Sequence, residues 1–178
     1  MRKWSYGLLA LAALAGLQAT LRELIGAYNY QIVILAGINI ILAVSLNLIN
    51  GVTGQFSIGH AGFYAVGAYT SAAVIYYGEP VLRGAVGFLP AMGQDAVLLL
   101  IGILAAAMAA GLAGLAVGIP SLRLRGDYLA IVTLGFGEII RVLILNIESV
   151  GGSRGFSGIP QLSNFFWVYL AVLITILA

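Results

Sequence analysis

The chain contains no cysteine, which removes disulfide frameworks, thiolate zinc sites and cysteine nucleophiles from consideration. Histidine is nearly as scarce, with His60 alone among 178 residues. Charge is sparse too: 8 Lys and Arg, 6 Asp and Glu, and a formal net charge of +2. A hydrolase or metalloenzyme needs a convergent acid, base or metal cluster, and six acids with one histidine leave little from which to build one. The positive excess is small and dispersed, so the basic footprint of a nucleic-acid binder is missing. Soluble domains carry charge on about a quarter of their residues. Here the share is 8%.

What fills the chain instead is hydrocarbon: 62% of residues are hydrophobic and the mean hydropathy is +1.08. This is the composition of an integral membrane protein. A helix needs about 20 apolar residues to cross the bilayer core, and successive runs meet or approach that length. They are Tyr6 to Thr20, Tyr28 to Ile49, Phe56 to Tyr77, Ala96 to Ile119 and Tyr128 to Ile147, followed by a shorter run from Phe165 to Ala178. The first run follows Arg2 and Lys3 like a signal peptide, but no convincing small-x-small cleavage site comes after it, so it reads as an uncleaved helix. Arg22 and Glu23 then lie between the first two crossings. Arg2, Lys3, Arg123 and Arg125 fall on one side, which the positive-inside rule makes the cytoplasm. Residues 78–95, with Pro80 and Pro90, read as a compact external turn, and the polar, Gly-rich stretch 148–164 as a second external segment. The last run is too short to span about 30 Å at about 1.5 Å per residue, which suggests a chain cut within its sixth helix. The expected fold is all-α: a polytopic membrane helical bundle forming one domain, with about five to six transmembrane helices and a cytoplasmic N-terminus.

Three local patterns stand out. Gly102, Ala106, Ala110, Gly114 and Gly118 recur every four residues and make a ridge suited to close helix packing. Asn50 to Ala72, NGVTGQFSIGHAGFYAVGAYTSA, gathers glycine with polar residues at the cytoplasmic start of the third run. Irregular backbone at membrane depth persists only where protein or water satisfies it, and discontinuous helices commonly build transporter sites. Gln55, Ser57 and His60 thereby become candidates for lining a translocation path, with His60 bonded to a neighbouring helix as the plainer alternative and metal ligation poorly supported. The third pattern is LRLRGDYLAIVTLGFGEIIRVLILNI, Leu122 to Ile147, which sets charges into and beside a membrane-grade run. An ionisable side chain at the bilayer centre costs about 2.5 kcal/mol even on lenient insertion scales. Glu138 and Arg141, three apart, can neutralise one another on one helix face, or meet the two charged ends of an amino acid in a water-filled path. Gly135 and Gly137 just before them are expected to loosen the helix.

The segments SLNLINGVTGQFSIGHAGFYAVGAYTSA, RLRGDYLAIVTLGFGEIIR and GGSRGFSGIP, in that order and spacing, resemble the permease subunits of branched-chain amino acid ABC importers of the LivM type. The blocks cover nearly all of 45–160. The resemblance implies a multi-pass permease in a prokaryotic cytoplasmic membrane, working with a second homologous permease, two cytoplasmic ATPase subunits and an external solute-binding protein. ATP and magnesium then belong to the partner ATPase, no cofactor to this chain. In keeping with that, the chain has no G-x-x-x-x-G-K-[ST] phosphate loop. The family's E-A-A ATPase-contacting loop lies in the C-terminal half of such permeases, and no such pattern occurs before Ala178. Arg123, Arg125 and Asp127, on the cytoplasmic side, are candidates for an auxiliary ATPase contact, or else serve as topology anchors. Two alternatives to an ATP-driven importer of branched-chain amino acids stay open: a stand-alone ion-coupled secondary transporter, and a permease of the same family for another amino acid or a urea-like amide.

Overall fold

In a hydrocarbon environment the backbone has no water to bond, so apolar runs close their hydrogen bonds internally as helices. The computed structural model describes residues 2–87, 90–121, 123, 124, 126–162 and 164–177, with side chains for all of these except 2–15, 18, 19, 22, 92 and 177. Helices dominate the described residues, with no strand among them. The chain is an all-α, polytopic integral membrane protein. Three helices among the described residues are long and apolar enough to cross a membrane: Glu23–Val52, Gly93–Ser121 and Asp127–Asn146. The chain divides into two compact units, residues 1–52 with 163–178, and residues 53–162.

The first unit holds α1 (Arg2–Asn47) and α5 (Phe165–Leu177). Two crossings separated by a charged turn at Arg22 and Glu23 are expected from the sequence. The structure instead has helical runs 2–25 and 27–47 abutting at a one-residue break, Gly26, with φ 77° and ψ 162°. Only glycine enters that region without strain, and a polar pair on its own does not stop a helix. A π-helical turn, Leu48–Val52, extends the second run. α5 lies along residues 30–37 of α1. The Tyr30 hydroxyl accepts a hydrogen bond from the Phe165 N–H at 3.1 Å, which satisfies an orphan donor of the first turn. Tyr169 donates its hydroxyl to the Val33 carbonyl at 3.0 Å. Gly37 makes this approach possible, since a Cβ there would sit 2.7 Å from Val168 Cγ1.

The second unit contains α2 (His60–Ala85), α3 (Ala91–Ser121) and α4 (Asp127–Asn146). α2 and α3 run antiparallel: Gly67 faces Ala106 and Ala110, and Ser71 and Ile75 face Gly102. Farther along, Arg83 binds Asp95. The small-residue ridge thus packs on α2 through Gly102, Ala106 and Ala110, whereas a Cβ on Gly114 or Gly118 would meet nothing within 4 Å. The pairing sequesters Leu98, Ile75 and Leu162, of which Leu98 is fully buried. α4 runs parallel to α2, because Gly59 meets Thr133 and Gly62 meets Gly137 and Ile140 in rising order.

Two sequence expectations change here. The external turn expected over 78–95 is largely helical, because α2 continues through Pro80 to Ala85 and α3 begins at Ala91. Arg83 stabilises that last stretch, bonding Glu79 one turn back at 2.8 Å and Asp95 on α3 at 3.0 Å. The third run begins as a helix at His60 rather than Phe56, since residues 53–59 are non-helical and Gly54 has φ 66°. The glycine-rich approach is therefore broken, as its composition suggests. Beyond α4, Glu148–Val150 and Gly152–Arg154 form two short 3-10 turns, closed on α2 by the Tyr77 hydroxyl donating to the Ser149 carbonyl at 2.6 Å and by Tyr76 edge-on to Phe156.

Candidate functional site

The broken approach to α2 is fastened to α4 backbone against backbone. Ile58 N–H donates to Thr133 Oγ1 at 3.2 Å, and Thr133 donates that hydroxyl to the Ala130 carbonyl at 3.0 Å. Three glycines allow the contact. A Cβ on Gly59 would fall on the Thr133 carbonyl, one on Gly62 would stand 2.9 Å from Gly137 Cα, and one on Gly137 would stand 3.4 Å from Gly59 Cα. α4 continues as a regular helix through Gly135 and Gly137, so the expected loosening does not occur. Gly137 permits close approach, while Gly135 faces open space.

Beside this contact lies a crevice of about 220 Å³. Its α2 side is Ile58, Gly59, Ala61, Gly62 and Ala65; its α4 side is Leu134, Gly137, Glu138 and Arg141. The walls are apolar apart from those last two residues. Arg141 Nε donates to Glu138 Oε2 at 2.8 Å, an i,i+3 ion pair. Both side chains stay more than half exposed, at 63% and 57%. The pair uses one guanidinium N–H and one carboxylate oxygen, and Arg141 presents further donors in a fixed fork. Glu138 stands eleven residues after Asp127, about 16 Å along the helix axis and so near its middle.

Of the other sequence-predicted residues, Gln55 is exposed, Ser57 half-buried, and half-buried His60 opens α2. Their neighbours Ile58, Gly59 and Ala61 line the crevice. Nearer the start of α4, Arg123 is exposed in the turn before the helix, and exposed Asp127 is its first residue, where a carboxylate complements the helix dipole. Arg125 lies outside the described residues. Among the described residues no three His, Asp or Glu side chains gather as a metal site would require. A second, polar cleft of about 600 Å³ sits past the far end of α4, among Asn146, Glu148, Ser153, Arg154 and Ser157. Sequence reasoning passed over Thr133 and the Gly59–Gly62–Gly137 contact. The GxxG step across 59–62 was the available signal, but its partner on α4 is 75 residues away.

Comparison with known proteins identifies the family of the chain. Residues 28–177 match the family model described as the permease component of the branched-chain amino acid transport system. The high-affinity branched-chain amino acid transport system permease protein LivM of Escherichia coli K12 is 43% identical over 159 residues, covering 88% of this chain and 33% of that protein. LivM of Salmonella typhimurium LT2 is 47% identical over 130 residues, covering 72% of this chain and 26% of that protein. The chain thus spans between a quarter and a third of the length of these relatives. No solved structure matches it. With a family model matched over most of its length, the chain belongs to the permease-component family of the branched-chain amino acid transport systems.

Proposed function

We propose that this chain forms part of the membrane path of an ATP-driven importer that brings leucine, isoleucine and valine into the cytoplasm. The observation that carries this reading is the 43–47% identity to two LivM permeases across most of the chain. Its scarcity of titratable groups supports a conduit rather than a catalyst. ATP and magnesium bind two cytoplasmic ATPase subunits, a second homologous permease completes the channel, and an external solute-binding protein delivers the amino acid. The chain sits as a multi-pass subunit in a prokaryotic cytoplasmic membrane. Gln55, Ser57, His60, Glu138 and Arg141 border the path, and Arg123, Arg125 and Asp127 face the ATPase side.

Energy coupling tests the proposal. In cells whose branched-chain uptake depends on the transporter containing this chain, ATP depletion with the ion gradient kept intact should abolish accumulation of labelled leucine. Accumulation that persists on the gradient alone would establish an ion-coupled secondary transporter instead. Competition by unlabelled amino acids and by urea-like amides defines the cargo.

A further inference from the structure

We infer that the crevice between the start of α2 and the middle of α4 is a transit subsite for a zwitterionic aliphatic amino acid, with Glu138 and Arg141 gripping its charged ends and the apolar floor receiving its side chain. This rests on the importer reading above. Three observations converge on it. The volume, about 220 Å³, equals the liquid share of about seven water molecules, the scale of one small amino acid and below the about 300 Å³ at which drug-sized pockets begin. The floor is built from Gly59, Ala61, Gly62 and Ala65 beneath Leu134, so it offers dispersion contacts and no hydrogen-bonding side chain. The rim carries one anion and one cation whose contacting atoms lie 2.8 Å apart.

An ion pair placed only to neutralise itself in hydrocarbon would gain from burial of both heads and full use of their hydrogen-bonding capacity. Within residues 53–162 this pair does neither. Its heads are more than half exposed at the crevice rim, and each keeps capacity beyond the single Nε–Oε2 bond. An α-ammonium can bind the Glu138 carboxylate while an α-carboxylate takes the outward N–H groups of Arg141. The pair then exchanges part of its mutual bond for two bonds to the cargo, at little net electrostatic change. The near balance suits a transit site, which must release what it holds.

The test uses the whole importer, ATPase and binding protein included, in cells lacking other branched-chain uptake. Glu138→Gln and Arg141→Gln should each lower leucine uptake about ten- to a hundredfold at equal membrane abundance, the scale of one lost charge-assisted hydrogen bond. The charge swap Glu138→Arg with Arg141→Glu keeps an ion pair but reverses the polarity offered to the cargo, so uptake should stay low while abundance recovers. Ala61→Val and Ala65→Val narrow the floor and should depress leucine and isoleucine uptake more than uptake of the smaller valine, a selectivity change that a purely structural role would not produce. Wild-type uptake restored by the charge swap, or valine variants that slow every substrate equally, would overturn the subsite alone. Absence of ATP-dependent uptake by the wild type would overturn the importer reading, and the subsite with it.

Discussion

At the scale of single residues, the contact between the α2 approach and α4 is set by missing atoms. Gly59 has an ordinary φ of −81°, so its requirement is spatial: an added Cβ would land on the Thr133 carbonyl. Backbone cannot swing aside as the end of a flexible side chain can, and overpacking of this kind costs about 1–3 kcal/mol or more. Gly59→Ala should therefore lower the melting temperature of the detergent-purified protein. Gly135→Ala should leave it unchanged or raise it, because nothing lies within 4 Å of that position and alanine favours a helix interior by up to about 1 kcal/mol. Thr133→Val keeps the shape but strips the acceptor of the Ile58 N–H. The bond is part-buried, and the net loss of such a hydrogen bond costs about 0.5–1.5 kcal/mol. Loss of stability with Gly135→Ala and none with Gly59→Ala would contradict the observed packing.

At the scale of elements, Gly26 and Gly37 set the form of the first unit in different ways. A Cβ at Gly26 would meet nothing, yet its φ of 77° and ψ of 162° belong to a region that side chains avoid at a cost of about 1–3 kcal/mol. Gly26→Ala should be destabilising by about that amount in thermal unfolding, whereas Gly16→Ala, inside the helix with no neighbour within 4 Å, should be neutral or stabilising by up to about 1 kcal/mol. Gly37→Leu should instead displace α5, because Val168 and the Tyr169 ring occupy the space its side chain needs. Protection of α5 amides from hydrogen exchange reads this out: an unchanged pattern would mean that α5 does not dock there. These elements also mark what the sequence makes legible. The runs 96–119 and 128–147 anticipate α3 and α4 closely, since apolarity sustained over a membrane thickness has one backbone solution. Clustered glycine beside polar residues foretells the irregular backbone of 53–59. Two boundaries misled. A charged pair at 22–23 and a proline at 80 look like loop signals, but a helix tolerates exposed charges and, in its last turns, one missing N–H. The true break, at Gly26, depends on a dihedral angle that composition does not encode. Within the site, the 138–141 pairing is legible because i,i+3 spacing is local. The crevice is not, because it needs the register of two helices remote in sequence.

At the scale of the whole molecule, helix direction carries the topology. Within residues 53–162, α2 and α4 run parallel and α3 runs opposite to both, as alternating crossings require. Arg123, before α4, and Ser153, after it, then lie at opposite ends of a helix of 20 residues, about 30 Å long and able to cross the hydrocarbon core once. Both are exposed. The positive-inside rule assigns Arg123 to the cytoplasm and Ser153 to the exterior. Because the chain has no cysteine of its own, a single introduced thiol reports its side without background. Ser153→Cys should react with a membrane-impermeant maleimide in intact, outer-membrane-permeabilised cells, and Arg123→Cys only in inside-out vesicles. If both thiols reacted from the same side, α4 would not cross the membrane, and the mid-membrane setting of Glu138 and Arg141 would fall with it. The opposite assignment of sides would keep the crossing and the crevice but turn the cytoplasmic approach over residues 53–59 into an external one. Labelling of the two thiols thus separates the depth of the ion pair from its orientation, which uptake measurements alone would merge.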